Sequence, residues 1–98
     1  MARKIIWTLK AKNELIEIFQ YWNERNQSTN FSQKLNELIN DQLNSISQFP
    51  KSGKKTNLEK VYLKIIHQYH LFYQIKEDSI YILTIRHTKR NPKTITFK

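Results

Sequence analysis

The sequence predicts a single α+β domain spanning all 98 residues, in which a helical hairpin packs on a small antiparallel sheet. Apolar residues recur with the helical period between residues 15 and 46, and they alternate with period two between residues 61 and 85. The connections within the second region are two to four residues long, which requires antiparallel pairing of neighbouring strands. The predicted order of elements is β-α-α-β-β-β.

A short strand and two helices are predicted for the first half of the chain. The apolar run at residues 4–7 indicates the strand, and Thr8 is a suitable N-cap for the helix that follows. That helix runs to about Arg25, and a polar break at residues 26–30 separates it from a second helix that ends at Phe49-Pro50. The apolar stripes comprise Leu15, Ile18, Phe19 and Trp22 in the first helix and Phe31, Leu35, Leu38, Ile39, Leu43 and Ile46 in the second.

Three strands with alternating apolar residues follow a basic loop at residues 51–55. The register of the last hairpin stays open, because residues 76–79 permit a loop of two or three residues and a slip of one residue exchanges the faces. Either register leaves large apolar side chains on the face without helices, and we expect another chain to cover them. The alternative to an apolar surface covered by another chain is that one long strand is buried on both of its faces within this chain. The alternating sets are Val61, Leu63 and Ile65, then Leu71, Tyr73 and Ile75, then Tyr81, Leu83 and Ile85; Ile66, Phe72, Ile80 and Ile82 interrupt them.

Positive charge is distributed unevenly along the chain. The formal net charge is +9 at pH 7, yet residues 13–48 carry five acidic and only two basic residues, so the flanking segments hold the whole excess. This asymmetry favours an anionic partner, either nucleic acid or an acidic protein. The longest apolar run, residues 80–83, is too short for a signal peptide or a membrane span, so we expect a cytoplasmic protein without membrane contact.

The composition excludes several kinds of chemistry. The absence of cysteine removes disulfides, thiolate nucleophiles and Cys-ligated zinc, and a single glycine excludes phosphate-cradling loops. His67, His70 and His87 lack the spacing and acidic companions of a metal site, so we expect neither a metal nor a cofactor. Metal-free cleavage of RNA stays open, since the substrate's 2′-hydroxyl is the nucleophile and the protein supplies a base, an acid and cations. Residues of suitable type are His87, Lys89 and Arg90 after the last strand, with Lys54 and Lys55 in the basic loop.

Three segments give the chain a resemblance to the RelE/ParE superfamily, the toxins of type II toxin–antitoxin pairs. They are residues 46–53 (Ile-Ser-Gln-Phe-Pro-Lys-Ser-Gly), 69–75 (Tyr-His-Leu-Phe-Tyr-Gln-Ile) and 80–87 (Ile-Tyr-Ile-Leu-Thr-Ile-Arg-His), the last with an Arg90-Asn91-Pro92 tail. The order of elements is also similar, and the similarity covers essentially the whole chain. The resemblance implies a toxin that inhibits growth until a cognate acidic antitoxin wraps it with a helix and an extended segment. We expect the antitoxin to contact Ile66, Phe72 and Ile82, in a hetero-oligomer or beside a toxin homodimer.

The superfamily divides by target, and this division decides whether the chain is an enzyme. The resemblance implies that RelE-like members cut mRNA on the ribosome, whereas ParE-like members inhibit DNA gyrase without that ribonuclease constellation. A ribonuclease would use Arg86, His87 and Arg90 as catalytic residues. However, the strand at 61–66 offers Lys64 where RelE-like enzymes usually place an arginine, and the C-terminal segment carries Phe97, which cannot transfer a proton, in place of a tyrosine. These features favour the ParE-like branch. Target-binding residues in either branch are Lys54, Lys55, Lys64, Lys89, Arg90 and Lys93.

A third hypothesis is a basic nucleic-acid-binding module with no toxicity, which depends on the net charge alone. Contacts to phosphates would make its affinity fall steeply as the salt concentration rises.

Overall fold

The computed structural model describes residues 3–88, which form two helices and a five-stranded sheet. The strands lie in the order β1-β5-β4-β3-β2. The predicted α+β architecture, a helical hairpin on a mostly antiparallel sheet, is confirmed. In chain order the elements are β1 (Lys4–Trp7), α1 (Leu9–Asn26), α2 (Asn30–Gln48), a 3-10 turn (Pro50–Ser52), β2 (Lys54–Lys55), β3 (Val61–Ile66), β4 (Tyr69–Lys76) and β5 (Ser79–His87).

The sheet differs from the prediction at both of its edges. The edge strand β1 runs parallel to β5, with Trp7 opposite Ile82. At the other edge Lys54 and Lys55 form the additional strand β2, antiparallel to β3. Both differences arise from pairing between segments that are far apart in the sequence. In addition, the two residues of β2 are too few to show the side-chain alternation from which a strand is predicted.

The ends of α1 are set by local capping chemistry. The Thr8 hydroxyl accepts a hydrogen bond from the Ala11 amide at 3.2 Å, which satisfies one free donor of the first turn. Gln27 adopts a left-handed conformation (φ 48°) at the C-terminal end, and the Ser28 amide donates to the Asn23 carbonyl at 3.2 Å. The predicted N-cap is confirmed, and the helix ends one residue beyond Arg25.

The core lies between the two helices and one face of the sheet, here called the helix-covered face. Leu35, Ile39, Leu43 and Ile46 of the α2 stripe are buried as predicted, whereas Phe31 is half-buried and Leu38 is 42% exposed. The predicted apolar stripe of α1 is half-buried against the same cluster. The buried cluster consists of Ala11, Leu35, Ile39, Leu43, Ile46, Ile66, Tyr69, Leu71, Tyr73, Ile80, Ile82 and Ile85.

The register of the last hairpin is fixed by a tight turn and a β-bulge. Glu77 and Asp78 form a two-residue loop, in which Glu77 has a φ of 55° as tight hairpin turns require. An irregularity between Phe72 and Tyr73 pairs Leu71 with Ile85 but Tyr73 with Ile82. Because a bulge inserts one residue into β5, Ile82 and Ile85 both join the helix-covered core, and the predicted alternation of Tyr81, Leu83 and Ile85 on one face is wrong.

The three residues predicted as antitoxin contacts on an uncovered face are all buried within the chain. Ile66 (3% exposed) and Ile82 (0%) belong to the core beneath the helices, so the prediction that they face outward is wrong. Phe72 pairs with Leu63 on the opposite face, here called the outer face, but it is only 8% exposed. On that face Ile65 is 61% exposed. Ile65 belongs to the alternating set Val61, Leu63 and Ile65 and not to the residues expected on the uncovered face, so the expectation of a bare apolar surface at Ile66, Phe72 and Ile82 is wrong.

A buried tyrosine ties the 3-10 turn to the sheet. The Tyr73 hydroxyl donates to the Pro50 carbonyl at 2.7 Å and accepts from the Gly53 amide at 3.1 Å. Burial raises the pKa of Tyr73, while the hydrogen bond from Gly53 opposes that change. A side chain at position 53 would meet this hydroxyl and approach the Leu63 carbonyl to 2.9 Å, which explains the glycine at this position. Tyr73 thus positions the backbone that leads into Lys54 and Lys55.

Candidate functional site

A cleft of about 580 Å³ lies between α1 and the end of β5. The pairing of β1 with β5 stops at Trp7 and Ile82, so the rest of β5 has no neighbouring strand on that side. The Glu14 carboxylate of α1 binds to this unpaired part of β5. Glu14 Oε1 accepts from the Thr84 hydroxyl at 2.7 Å and from the Ile85 amide at 3.3 Å, and Glu14 Oε2 pairs with Lys10 Nζ at 2.8 Å. This α1 cleft is lined by Glu14, Glu17, Ile18, Tyr21, Trp22, Arg25, Gln68, Tyr69, Ile85, Arg86 and His87.

Two of the predicted catalytic residues, Arg86 and His87, lie together in the α1 cleft. The Nε and Nη1 atoms of Arg86 are buried without a hydrogen-bond partner. His87 Nε2 lies 3.2 Å from Gln68 Oε1, and its ring meets the Tyr69 ring edge-on with 5.6 Å between centroids. His87 is therefore held in place, whereas the guanidinium of Arg86 has unused donors.

An aromatic wall on α1 completes the cleft, and it was not predicted as part of a site. Trp22 Nε1 donates to the Tyr69 hydroxyl at 2.6 Å, which joins the helix to β4. The Arg25 guanidinium lies 5.9 Å from the centre of the Trp22 ring, a distance typical of a cation–π contact, and it donates to the Tyr21 hydroxyl at 3.3 Å. A signal existed in the sequence, since Glu14, Glu17, Ile18, Tyr21 and Arg25 recur at spacings of three and four residues.

The predicted target-binding lysines are not brought together with Arg86 and His87. Lys54 and Lys55 lie on β2, three strand spacings or about 14 Å from β5 across the sheet. Lys54 pairs with Leu63 on the outer face, whereas Lys64 pairs with Leu71 on the helix-covered face. Lys89, Arg90 and Lys93 lie outside the described residues.

A second cleft of about 550 Å³ beside β2 joins Lys51 and Lys55 of the predicted basic loop to basic residues outside that loop. Lys55 lies there with Arg3, Lys51 and Lys60, and Glu59 and Glu77 partly offset their charge. Arg3 also donates to the Glu77 carbonyl. The cleft is open and the side chains are drawn from four separate segments, so sequence spacing could not indicate it.

His70 connects the outer face to the basic edge of the sheet. It pairs with Ile65 on one side and Arg86 on the other, and its ring meets Phe72 edge-on. Burial lowers the pKa of His70, and the charge of Lys54 lowers it further. A histidine held neutral in this way is a poor cation for binding phosphate at physiological pH.

Residues 3–88 also bear on metal binding and on membrane insertion. No group of three or more His, Cys, Asp or Glu side chains in that range is arranged to hold a metal ion. None of the described helices combines the length and apolarity that crossing a membrane requires.

Comparison with solved structures shows the same fold in toxin–antitoxin complexes. A chain of the chromosomal ParDE toxin–antitoxin system from P. aeruginosa superposes with a TM-score of 0.75 at 18% identity, covering 90% of this chain and 98% of that one. A chain of the RelBE2 toxin–antitoxin complex from Mycobacterium tuberculosis gives a TM-score of 0.66 at 17% identity, covering 89% and 99%. At these identities the likeness shows the fold alone.

Comparison with sequence families is more specific. A search of curated proteins returns no match. The model of the family described as the ParE toxin of the type II toxin–antitoxin system, parDE, matches residues 5–92. Because this match spans most of the chain and agrees with the fold, the protein belongs to the ParE toxin family of type II toxin–antitoxin systems.

Proposed function

We propose that this toxin inhibits growth by binding DNA gyrase and that it does not itself cut RNA. The observation that carries the proposal is the separation of the residues that RNA cleavage would need. Arg86 and His87 line the α1 cleft, whereas Lys54 and Lys55 lie at the opposite edge of the sheet. A general base and the cations that stabilise a phosphorane must surround one phosphate, because these effects act over hydrogen-bond distances.

The charge of the α1 cleft also opposes RNA cleavage. Glu14 and Glu17 line the cleft with Arg25 and Arg86, so the formal charges of its acidic and basic residues cancel. A phosphodiester needs a positive excess, which this cleft lacks. Lys64, the basic residue in the place where RelE-like enzymes usually carry an arginine, lies on the helix-covered face.

We further propose that an acidic antitoxin neutralises the toxin. The similar folds come from toxin–antitoxin complexes, and the net charge of +9 suits an acidic partner. Regulated expression of the toxin with and without the adjacent reading frame tests this pairing. Growth arrest that the neighbouring protein fails to relieve would contradict it.

A supercoiling assay with purified toxin and gyrase tests the proposed target. We expect inhibition at micromolar toxin, and we expect the His87→Gln variant to inhibit as well as the wild type. That variant keeps an amide able to bond Gln68 but cannot act as an acid or base near neutral pH. Unchanged gyrase activity at micromolar toxin would overturn the proposal.

A RelE-like ribonuclease is the second candidate, because His87 and Arg86 do share one cleft. Mapping mRNA 5′ ends after induction separates it from the first candidate. Codon-positioned cuts that His87→Gln abolishes would establish the ribonuclease, and their absence together with gyrase inhibition would exclude it.

A further inference from the structure

Among the described residues that line the α1 cleft, Arg86 is the one whose side chain has buried polar atoms without a hydrogen-bond partner. Its Nε and Nη1 atoms are buried and have no hydrogen-bond partner. A charged donor that has left water without gaining an acceptor is strongly unfavourable, so such groups are normally paired. Arg86 lines a cleft that is open to solvent, so an acceptor from another molecule can approach its side chain.

The residues that the structure describes do not supply the missing anion. All eight acidic residues lie within residues 3–88, where the single ion pair joins Lys10 to Glu14. Glu14 is also committed to Thr84 and to the Ile85 amide. Residues 89–98 contain neither Asp nor Glu. Glu17 lines the cleft but makes no ion pair with Arg86, so it is the internal competitor that an experiment must test.

The lining of the cleft favours a carboxylate carried by a peptide over a phosphate. The carboxylates of Glu14 and Glu17 would repel the double charge of a phosphate monoester and the repeated charges of a nucleic-acid backbone. Ile18 and Trp22, which are only partly buried, offer apolar surface beside the charged groups, which suits an acidic residue with apolar neighbours. The volume, about 580 Å³, is within the range of sites that enclose a ligand of a few residues.

We propose that Arg86 binds a Glu or Asp side chain of the antitoxin, with the flanking apolar residues of that segment seated against Trp22 and Ile18. The inference rests on the proposed antitoxin partnership and adds its point of contact. It also replaces Ile66, Phe72 and Ile82, which are buried, as the expected contact surface. A guanidinium paired with a carboxylate forms charge-assisted hydrogen bonds, which are stronger than neutral ones.

The test follows the Arg86 Nε–H resonance of the isotopically labelled full chain by NMR. The probes are the N-acetylated, C-amidated tetrapeptide Leu-Glu-Leu-Phe and its matched control Leu-Gln-Leu-Phe. We expect the Glu peptide to shift and protect this resonance and to bind at least about tenfold more tightly than the Gln peptide, as loss of a charge-assisted bond implies. Arg86→Met should abolish the difference between the peptides, and Arg3→Met, outside the cleft, should preserve it.

Four results would overturn the proposal. The first three are equal affinity for the two peptides, no shift of the Arg86 resonance at millimolar Glu peptide, and a larger shift with inorganic phosphate than with the Glu peptide. The fourth concerns the Glu17→Gln variant without peptide: its Arg86 resonance would differ from that of the free wild type by as much as peptide binding shifts the wild-type resonance. The last result would assign Glu17 as the partner in solution. The wild-type titration alone decides the question if Arg86→Met fails to fold. Neither gyrase nor the ribosome takes part, so failure here leaves the gyrase proposal intact, and the reverse also holds.

Discussion

The Tyr73→Phe substitution tests whether one buried hydroxyl holds the turn that leads into β2. The change removes the bond donated to the Pro50 carbonyl at 2.7 Å and the bond accepted from the Gly53 amide at 3.1 Å, while the aromatic ring stays in place. Each lost bond costs about 0.5–1.5 kcal/mol, and more where a partner stays buried and unsatisfied. Pro50 and Gly53 are only half-buried, so water replaces part of the loss. We expect a decrease of about 2 kcal/mol in the free energy of unfolding.

Urea denaturation followed by circular dichroism measures this change. A loss of about 2 kcal/mol corresponds to a Tm lower by about 8–16 °C in a domain of this size, with the m-value unchanged. Hydrogen exchange locates the effect, since the Gly53 amide should exchange faster once its acceptor is gone.

The matched control is Tyr62→Phe, because the Tyr62 ring stacks on Tyr73 with 5.8 Å between centroids and is only half-buried. Its hydroxyl makes no hydrogen bond to the described residues, so we expect a change below about 0.5 kcal/mol. A Tyr73→Phe variant as stable as the wild type, or an equal loss in both variants, would refute the reasoning.

Three further predictions concern the turn, the outer face and the cleft. Gly53→Ala should lower the free energy of unfolding by about 1–3 kcal/mol, because the new methyl group meets the Tyr73 hydroxyl and the Leu63 carbonyl; a Tm equal to that of the wild type would contradict this. Because the pKa of His70 is lowered in the folded state, its contribution to stability is present above about pH 6.5 and is lost as the pH falls through the folded-state pKa. Urea midpoints at about pH 7.5 and about pH 5.5 should therefore differ less in His70→Gln than in the wild type, and equal differences would exclude this assignment. Arg86→Met should raise the stability of the free toxin by about 1–2 kcal/mol, since it removes unpaired buried donors; a destabilised variant would indicate a structural role for the guanidinium.

The sequence by itself determined the elements whose signals are local. Thr8 is an N-cap because its hydroxyl reaches the Ala11 amide within the same turn. Most of the α2 stripe is buried because a helix aligns residues three and four apart. The Lys4–Trp7 strand was predicted at its observed bounds for the same reason. The resemblance to the RelE/ParE superfamily also came from short contiguous segments of the sequence. The match to the ParE toxin family over residues 5–92 agrees with it.

Tertiary structure alone decided which residues share a face and a cleft. The bulge at Phe72/Tyr73 turns Ile82 and Ile85 to the same side, and period-two alternation carries no mark of an inserted residue. The parallel pairing of β1 with β5 stops at Ile82, so the end of β5 lies beside α1, and Arg86 lines one cleft with Trp22 and Arg25 of a helix about sixty residues earlier. Contacts of this kind depend on the register and twist of the whole sheet, which no local pattern encodes.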